Sequence, residues 1–183
     1  GGMWGTELAL KHPKAVKALV LMDTFVGSEP EGTKQKYFAL LDFLEKARGF
    51  TEPLLNQIVP LFFSPDTLSK NPTLVDSFKK ELAAIKKERI PGIVALGRTI
   101  FSRDCLLDKL SDLAQPTLLI VGKDDIPRPP KESEEMASRI LNSKLKVIEK
   151  AGHICNLEQP EVVNAYLESF LCKNLLGKNL IKT

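Results

Sequence analysis

Histidine and cysteine are both scarce in this 183-residue chain. Histidine occurs only at positions 12 and 153, and cysteine only at positions 105, 155 and 172. The cysteines are odd in number, lie far apart and form no C-x-x-C pair, which argues against a disulfide framework and a structural zinc site. This scarcity favours a protein without a bound metal, in a reducing compartment such as the cytoplasm.

Long apolar runs and an excess of one charge are missing as well. No run approaches the ~18 apolar residues that a membrane-spanning helix needs. The start, "GGMWGTELAL", has no basic segment before an apolar stretch, so we do not expect a signal peptide there. The 26 basic and 23 acidic side chains give a net charge of +3 and are interspersed along the chain. We therefore expect a globular protein whose partners include neither a membrane nor a nucleic acid.

Three short apolar runs are typical of strands that are buried in a parallel sheet. They cover residues 16–23 ("VKALVLMD"), 115–125 ("QPTLLIVGKDD") and, more weakly, 144–150 ("KLKVIEK"). Amphipathic helical patterns follow the second and third runs, at residues 129–141 and 159–176. Because strand and helix alternate at both ends of the chain, the sequence predicts the α/β class, with a parallel sheet flanked by helices and right-handed crossovers.

A further helical pattern, "GGMWGTELALKHP", precedes the first run and is expected to place Trp4, Leu8 and Ala9 on one face. Between the first two runs only helical patterns occur, and prolines interrupt them. This indicates a helical cap inserted between two strands. We expect residues 1–27 and 114–183 to form the core that contains the sheet and residues 28–113 to form the cap.

The first apolar run would have no partner on one flank in a sheet of only three strands. An exposed apolar edge of this kind is unfavourable, and the chain does not begin with methionine. We therefore expect the missing strands to precede Gly1. An N-terminal remainder of the same protein, or another subunit, would then cover the exposed edge.

Four polar side chains follow the carboxyl ends of the predicted strands, where open α/β sheets bind ligands. They are Asp23, Asp124, Asp125 and His153. A carboxylate that accepts a hydrogen bond from one imidazole nitrogen leaves the other nitrogen free to take a proton from a nucleophile. Taken singly, "GKDD" is also compatible with a plain turn, and His153 with a turn or core histidine.

Together these segments resemble the α/β-hydrolase family. The stretch "GGMWGTELALKHPKAVKALVLMDT" is similar to the helix and strand that follow the nucleophile elbow G-x-S-x-G. The stretch "LLIVGKDDIPRPP" is similar to the acid strand and loop of the family, and "AGHICNLEQPE" to its histidine loop. The first and last stretches most resemble enol-lactonase and carboxylesterase-type members, including relatives of 3-oxoadipate enol-lactonase.

The resemblance implies a capped hydrolase that acts on a small ester, lactone or related acyl compound, without a metal or an organic cofactor. Asp125 would be the acid of a catalytic triad and His153 its general base. Asp124 and Asp23 are the alternative acids, although Asp23 could instead cap the next turn. Phe62, Phe63 and Phe101 would form either the core of the cap or the roof of a pocket. Cys155 is expected to be a buried apolar residue.

The nucleophile that the resemblance implies would lie two residues before Gly1, since no serine in the chain has the G-x-S-x-G context. The chain alone is therefore expected to be inactive, and the activity would belong to a longer parent enzyme. A serine at that position favours acyl transfer. An aspartate favours an epoxide hydrolase or haloalkane dehalogenase, in which His153 activates water. A non-catalytic binding protein that lacks the nucleophile is the third alternative.

Overall fold

The computed structural model describes residues 1–175, and residues 176–183 lie outside this description. Within the described range, three strands form one parallel sheet in the order β1-β2-β3. They are Leu19–Met22 (β1), Thr117–Gly122 (β2) and Ser143–Ile148 (β3). The predicted α/β class, a parallel sheet flanked by helices, is confirmed.

Nine α-helices surround this sheet within residues 1–175. Their bounds are Gly2–Lys11 (α1), Glu31–Ala47 (α2), Glu52–Ile58 (α3), Pro65–Lys70 (α4), Pro72–Ala83 (α5), Ile90–Phe101 (α6), Pro130–Arg139 (α7), Cys155–Glu158 (α8) and Pro160–Leu175 (α9). Among them, none combines the length and the apolar character that crossing a membrane would require. The helix predicted over 159–176 corresponds to α9, and its last predicted position lies outside the described residues.

β2 is the central strand, and all six of its residues are buried. Alternate side chains of a strand point to opposite faces, so β2 contributes to two separate apolar clusters. Leu119 packs with Met136 of α7 on one face. Leu118 and Ile120 pack with Val163 of α9 on the other face. This two-sided burial explains the unbroken apolar run of the sequence.

The prediction that Trp4, Leu8 and Ala9 form one apolar face of α1 is wrong. Trp4 is 60% exposed and Leu8 is 48% exposed, whereas Ala9 and Thr6 are buried. α1 packs against β1 through small residues: a Cβ atom on Gly5 would lie 3.6 Å from a leucine side chain of β1. The small residues, and not the large apolar ones, therefore mark the buried face of α1.

α2 to α6 occupy the chain between β1 and β2, and a short 3-10 helix, Leu107–Asp112, leads into β2. Two apolar clusters hold these helices together. One centres on Leu44 and Val94, and the other on Leu55 and Phe63. No strand occurs between Asp23 and Pro116 in the structure, which agrees with the helical patterns there. The boundaries of the cap at residues 27 and 113 stay a prediction.

The edges of the sheet are open in the described part of the chain. There β1 pairs with β2 alone, and β3 also pairs with β2 alone. What covers the outer edge of β1 stays a prediction as well. The helix predicted over 129–141 ends at Arg139, so Leu141 follows the helix and is exposed, whereas Met136 and Ile140 are buried as expected.

Candidate active site

Asp125 lies in the tight turn that directly follows β2. The Asp125 N–H donates to the carbonyl of Gly122 at 3.2 Å, which closes the turn. Oδ1 of Asp125 in turn accepts a hydrogen bond from the backbone N–H of Arg128 at 2.8 Å. Aspartate favours such turns because its short side chain can accept from nearby backbone groups. The turn therefore fixes the carboxylate at the carboxyl end of the central strand.

His153 lies in the loop after β3, and the backbone of this loop is held against the segment between α3 and α4. The His153 N–H donates to the carbonyl of Phe62 at 2.9 Å. A Cβ atom on Gly152 would lie 2.7 Å from the same carbonyl oxygen, so only glycine fits there. The histidine loop and the intervening helices therefore touch through their main chains.

Glu158 of α8 reinforces this contact. One carboxylate oxygen accepts from the Ser64 N–H at 2.8 Å, and the other accepts from the Gly152 N–H at 2.5 Å. Hydrogen bonds from backbone amides to a carboxylate are stronger than those between neutral groups. Glu158 therefore ties the histidine loop to the start of α4. Sequence reasoning did not single out this residue, although it lies in the acidic tail of the histidine segment.

The structure brings His153 and Asp125 together. Nδ1 of the imidazole lies 3.1 Å from Oδ1 and 3.0 Å from Oδ2 of Asp125. The Asp125 side chain is fully buried, whereas the His153 side chain is 24% exposed. The Phe62 ring covers part of the imidazole, with ring centroids 5.6 Å apart. With Nδ1 facing the carboxylate, Nε2 is the nitrogen left to exchange a proton with another group.

The two alternative acids lie elsewhere. Asp124 is partly exposed, and its N–H donates to the carbonyl of Ala151 at 2.9 Å. Asp23 accepts from the Gly122 N–H at 3.0 Å and from the Cys155 N–H at 3.2 Å. Asp23 therefore links the end of β2 to the start of α8, and the expectation that it could cap the next turn is wrong.

The surroundings of Asp23 and Cys155 disfavour charge. Burial raises the pKa of Asp23 to about 6, against the lowering effect of its hydrogen bonds from Cys155 and Gly122. Burial, together with the nearby Asp23, raises the pKa of the Cys155 thiol far above its ordinary value. A thiol that is buried and held protonated is a poor nucleophile. Cys155 also packs in the apolar cluster beside β2, as expected.

A cavity of about 410 Å³ opens beside the imidazole. His153, Asp23, Gly1 and Met3 form part of its wall. Most of the remaining wall is apolar and comes from α2, α3 and α6, with contributions that include Leu40, Leu44, Leu54, Ile58 and Ile93. Phe62 and Phe101 line the cavity, whereas Phe63 is buried in an apolar cluster of the intervening helices. Both expectations for the phenylalanines thus apply, each to different rings.

Three charged side chains that sequence reasoning did not connect meet beside this cavity. We call Glu29, Arg103 and Arg128 the arginine cluster. Arg128 Nη2 donates to both carboxylate oxygens of Glu29 at 2.8 Å, and Arg103 Nη1 donates to one of them at 3.0 Å. The three residues are distant in sequence and follow no periodic pattern. The sequence offers one indication of the cluster. Arg128 lies in the proline-rich acid loop, at a position where the family resemblance suggests a small polar residue.

Comparison with protein families gives a match over most of the chain. A family model described as alpha/beta hydrolase fold matches residues 1–160. A candidate carbamate hydrolase, RutD of Pseudomonas syringae pv. syringae, is 28% identical over 173 residues, which cover 93% of this chain and 64% of that protein. The 3-oxoadipate enol-lactonase 2 of Acinetobacter baylyi is 25% identical over 171 residues, which cover 93% and 60% of the two chains. The chain thus spans less than two thirds of the length of these relatives.

Solved structures are similar over the same range. A thermophilic esterase from Thermogutta terrifontis, determined with malate bound, matches with a TM-score of 0.83 and 26% identity. The match covers 94% of this chain and 61% of that one. The enol-lactonase of Burkholderia xenovorans LB400 matches with a TM-score of 0.78 at 20% identity and covers 94% and 62% of the two chains, which shows a shared fold.

Proposed function

The chain belongs to the α/β-hydrolase fold family, and from this premise we propose that it supplies the general base and the acid of an enzyme that hydrolyses a small ester, lactone or related acyl compound. The observation that carries the proposal is the contact of 3.0 Å between His153 Nδ1 and the buried carboxylate of Asp125, on the wall of an apolar cavity. Homology to an enol-lactonase and similarity to an esterase structure support the reaction class.

In the proposed reaction His153 accepts the proton of a serine hydroxyl on Nε2 while the serine oxygen attacks the acyl carbon. Asp125 accepts the hydrogen bond from Nδ1–H, which fixes the tautomer and stabilises the imidazolium that forms. The imidazolium then returns its proton to the leaving alkoxide as the carbon–oxygen bond breaks. In the second half, His153 takes a proton from water while the water oxygen attacks the acyl carbon, and the imidazolium then returns this proton to the serine oxygen as the bond between the serine and the acid product breaks. These steps need neither a metal nor an organic cofactor.

We propose that the serine precedes Gly1 in the natural protein. Gly1 and Met3 lie on the same cavity wall as His153, which supports a nucleophile close to this end of α1. The open edge of β1 supports a preceding strand that pairs with it. The relatives, of which this chain spans 60 to 64%, are long enough to contain such a strand.

The helices α2 to α6 would serve as a cap over the substrate. Their apolar side chains contribute most of the cavity wall, and a cavity of about 410 Å³ is in the range of small-molecule sites. A largely apolar wall favours the acyl part of an ester or lactone over a strongly hydrated substrate. Free thiols at Cys105, Cys155 and Cys172 support a cytoplasmic location for the enzyme.

The test begins with the residue two positions before Gly1 in the natural sequence and with labelling of the full-length protein by a fluorophosphonate. We expect a serine at that position and stoichiometric labelling of it, because only a serine activated by a base reacts rapidly with this reagent. An aspartate at that position would favour the alkyl-enzyme route of epoxide hydrolases and dehalogenases. Absence of labelling, together with absence of ester hydrolysis, would favour a binding protein.

A pair of histidine variants tests whether His153 is the base. His153→Gln should abolish both the labelling and the hydrolysis of 4-nitrophenyl butyrate, because the serine then has no base. His12→Gln replaces the chain's other histidine, which is exposed at the end of α1, and should leave both unchanged. The 183-residue chain by itself should not be labelled. Rapid labelling at any of its own serines would contradict the proposed position of the nucleophile.

A further inference from the structure

The arginine cluster is buried, and the cavity wall includes both of its arginines. The side chains of Arg103 and Arg128 are each 8% exposed, and that of Glu29 is 2% exposed. Both arginines line the same cavity as His153. Arginine is rarely buried unless its charge is paired and its N–H groups are bonded. The position of these groups at a cavity therefore needs an explanation beyond the folding of the chain.

Glu29 satisfies only part of the two guanidinium groups. Arg128 Nη2 is engaged by both oxygens of Glu29, whereas Arg103 Nη1 is shared between Glu29 and the carbonyl of Ile100 at 2.9 Å. Arg103 Nε, Arg103 Nη2 and Arg128 Nη1 have no hydrogen-bond acceptor among the described residues, although all three are buried. Three donor nitrogens of the cluster therefore lack an acceptor within the described residues.

The two arginines also share one hydrogen-bonded carboxylate. Glu29 binds both guanidinium groups. Oε2 of Glu132 lies 3.5 Å from Arg128 Nη1, so this second carboxyl forms its ion pair with Arg128, without a hydrogen bond within the described range. Among residues 1–175, Arg103 therefore has no carboxylate partner of its own beside the cavity.

The cluster is joined to the proposed catalytic pair through the acid loop. The backbone N–H of Arg128 donates to Oδ1 of Asp125, the residue that also contacts His153. The side chain of the same Arg128 reaches into the arginine cluster. A group bound at the cluster would thus share the cavity with the imidazole, and the apolar wall would hold the carbon atoms in between.

We propose that the arginine cluster binds a carboxylate of the substrate, so that the substrate is a small ester or lactone that carries a second, free carboxylate. The identification of the substrate as an ester or lactone rests on the proposed hydrolytic function, whereas the binding of a carboxylate at the cluster does not. A carboxylate has two acceptor oxygens in one plane, which suits guanidinium donors. Its two oxygens would accept from the N–H groups of Arg103 that have no acceptor within the described residues. Arg103 and Arg128 are then specificity-determining residues, with Glu29 as the residue that positions them.

The binding part can be tested on the 183-residue chain with a matched pair of probes, 4-phenylbutyrate and its neutral isostere 4-phenylbutanamide. Isothermal titration calorimetry should show at least tenfold tighter binding of the acid. The Nε–Hε NMR signals of Arg103 and Arg128 should move with the acid and not with the amide. Equal affinities, or arginine signals that do not respond to the acid, would overturn the proposal in favour of a cluster that has only a structural role.

Arg103→Met removes one guanidinium and leaves Arg128 paired with Glu29. This variant should bind the acid no more tightly than the amide, and its affinity for the amide should be unchanged. Arg98→Met is the control, because Arg98 pairs with Asp42 and Glu45 outside the cavity wall; it should bind both probes as the unmodified chain does. Should Arg103→Met not fold, the two probes on the unmodified chain decide the question.

The substrate part is tested on the full-length enzyme with two activated esters, 4-nitrophenyl hydrogen glutarate and 4-nitrophenyl butyrate. We expect the anionic ester to have at least tenfold higher kcat/KM, and Arg103→Met to remove this preference through KM. Equal kcat/KM for the two esters would overturn the inference while the hydrolytic function stands. Tight binding of 4-phenylbutyrate without hydrolysis of either ester would support the carboxylate site while the hydrolytic function fails.

Discussion

Gly122 and Gly152 meet through their main chains: a Cβ atom on Gly122 would lie 2.1 Å from the carbonyl oxygen of Gly152. Gly122 is the last residue of β2, and Gly152 immediately precedes His153. This approach lets two neighbouring strand ends present Asp125 and His153 to each other at hydrogen-bonding distance. The geometry of the candidate site therefore depends on the absence of two side chains as much as on the presence of two others.

Gly122→Ala should destabilise the protein by about 2 to 4 kcal/mol, because the added methyl group collides with backbone atoms that cannot rotate away. Urea unfolding followed by circular dichroism measures the change. Gly92→Ala in α6 is the matched control, since a Cβ atom there has no neighbour within 4 Å. Alanine should be neutral in that helix or stabilise it by up to about 1 kcal/mol. Equal stability of the two variants would contradict the close contact.

Asp125→Asn should change the tautomer of His153. The Arg128 N–H donates to Oδ1, so the amide oxygen takes that position and the amide N–H₂ group, which cannot accept a hydrogen bond, faces Nδ1. The ring nitrogen chemical shifts of the 183-residue chain report the tautomer directly. In the full-length enzyme we expect kcat to fall on the order of 10³- to 10⁴-fold. Asp124→Asn is the control, since the hydrogen bonds of the His153 ring go to Asp125. If Asp124→Asn lost as much activity as Asp125→Asn, the assignment of Asp125 as the acid would be wrong.

Much of this arrangement could be predicted from the sequence. The apolar run that ends in "GKDD" predicts a buried strand with polar residues at its carboxyl end, and β2 with Asp125 is found there. Parallel strands place their carboxyl ends at one edge of the sheet, so the nearness of the histidine loop follows from topology. These features are local patterns joined by a general rule of sheet geometry, and both are readable without coordinates.

The arginine cluster and the packing of α1 could not be predicted in the same way. Glu29, Arg103 and Arg128 come from three loops whose meeting depends on how the intervening helices pack. The buried face of α1 carries the small residues Thr6 and Ala9, whereas the large apolar Trp4 and Leu8 are exposed. Such features arise from packing distances between elements, which apolar periodicity does not encode.

Glu158→Gln should loosen the histidine loop. Glutamine offers one acceptor oxygen where the carboxylate offers two, so either the Ser64 or the Gly152 N–H loses its partner. We expect a loss of stability of about 2 kcal/mol and faster hydrogen exchange at these two amides. Glu168→Gln, on the exposed face of α9, serves as the control and should leave the exchange unchanged. Unchanged hydrogen exchange at both amides in Glu158→Gln would contradict a role of Glu158 in holding the histidine loop to the start of α4.

Asp23 should make the protein less stable as the pH rises from about 4 to about 6. Burial raises the pKa of this carboxyl from an ordinary 3.8 to about 6 in the folded state, so the folded protein holds a proton that the unfolded chain releases. Between these two values the folded state binds more protons, and stability falls with increasing pH, by about 2 to 3 kcal/mol in total. Above the folded-state pKa the contribution of Asp23 no longer changes.

Asp23→Asn removes this titration, although the amide can accept only one of the two backbone N–H groups that Asp23 binds. The variant should therefore be less stable than the unmodified protein at pH 4, and the difference should shrink by about 2 to 3 kcal/mol as the pH approaches 7. Urea unfolding at pH 4, 5, 6 and 7 measures it. Asp76→Asn, on the exposed face of α5, accounts for the loss of one surface carboxylate. A stability difference between Asp23→Asn and the unmodified protein that stays constant across this pH range would show that the buried carboxyl is not linked to folding.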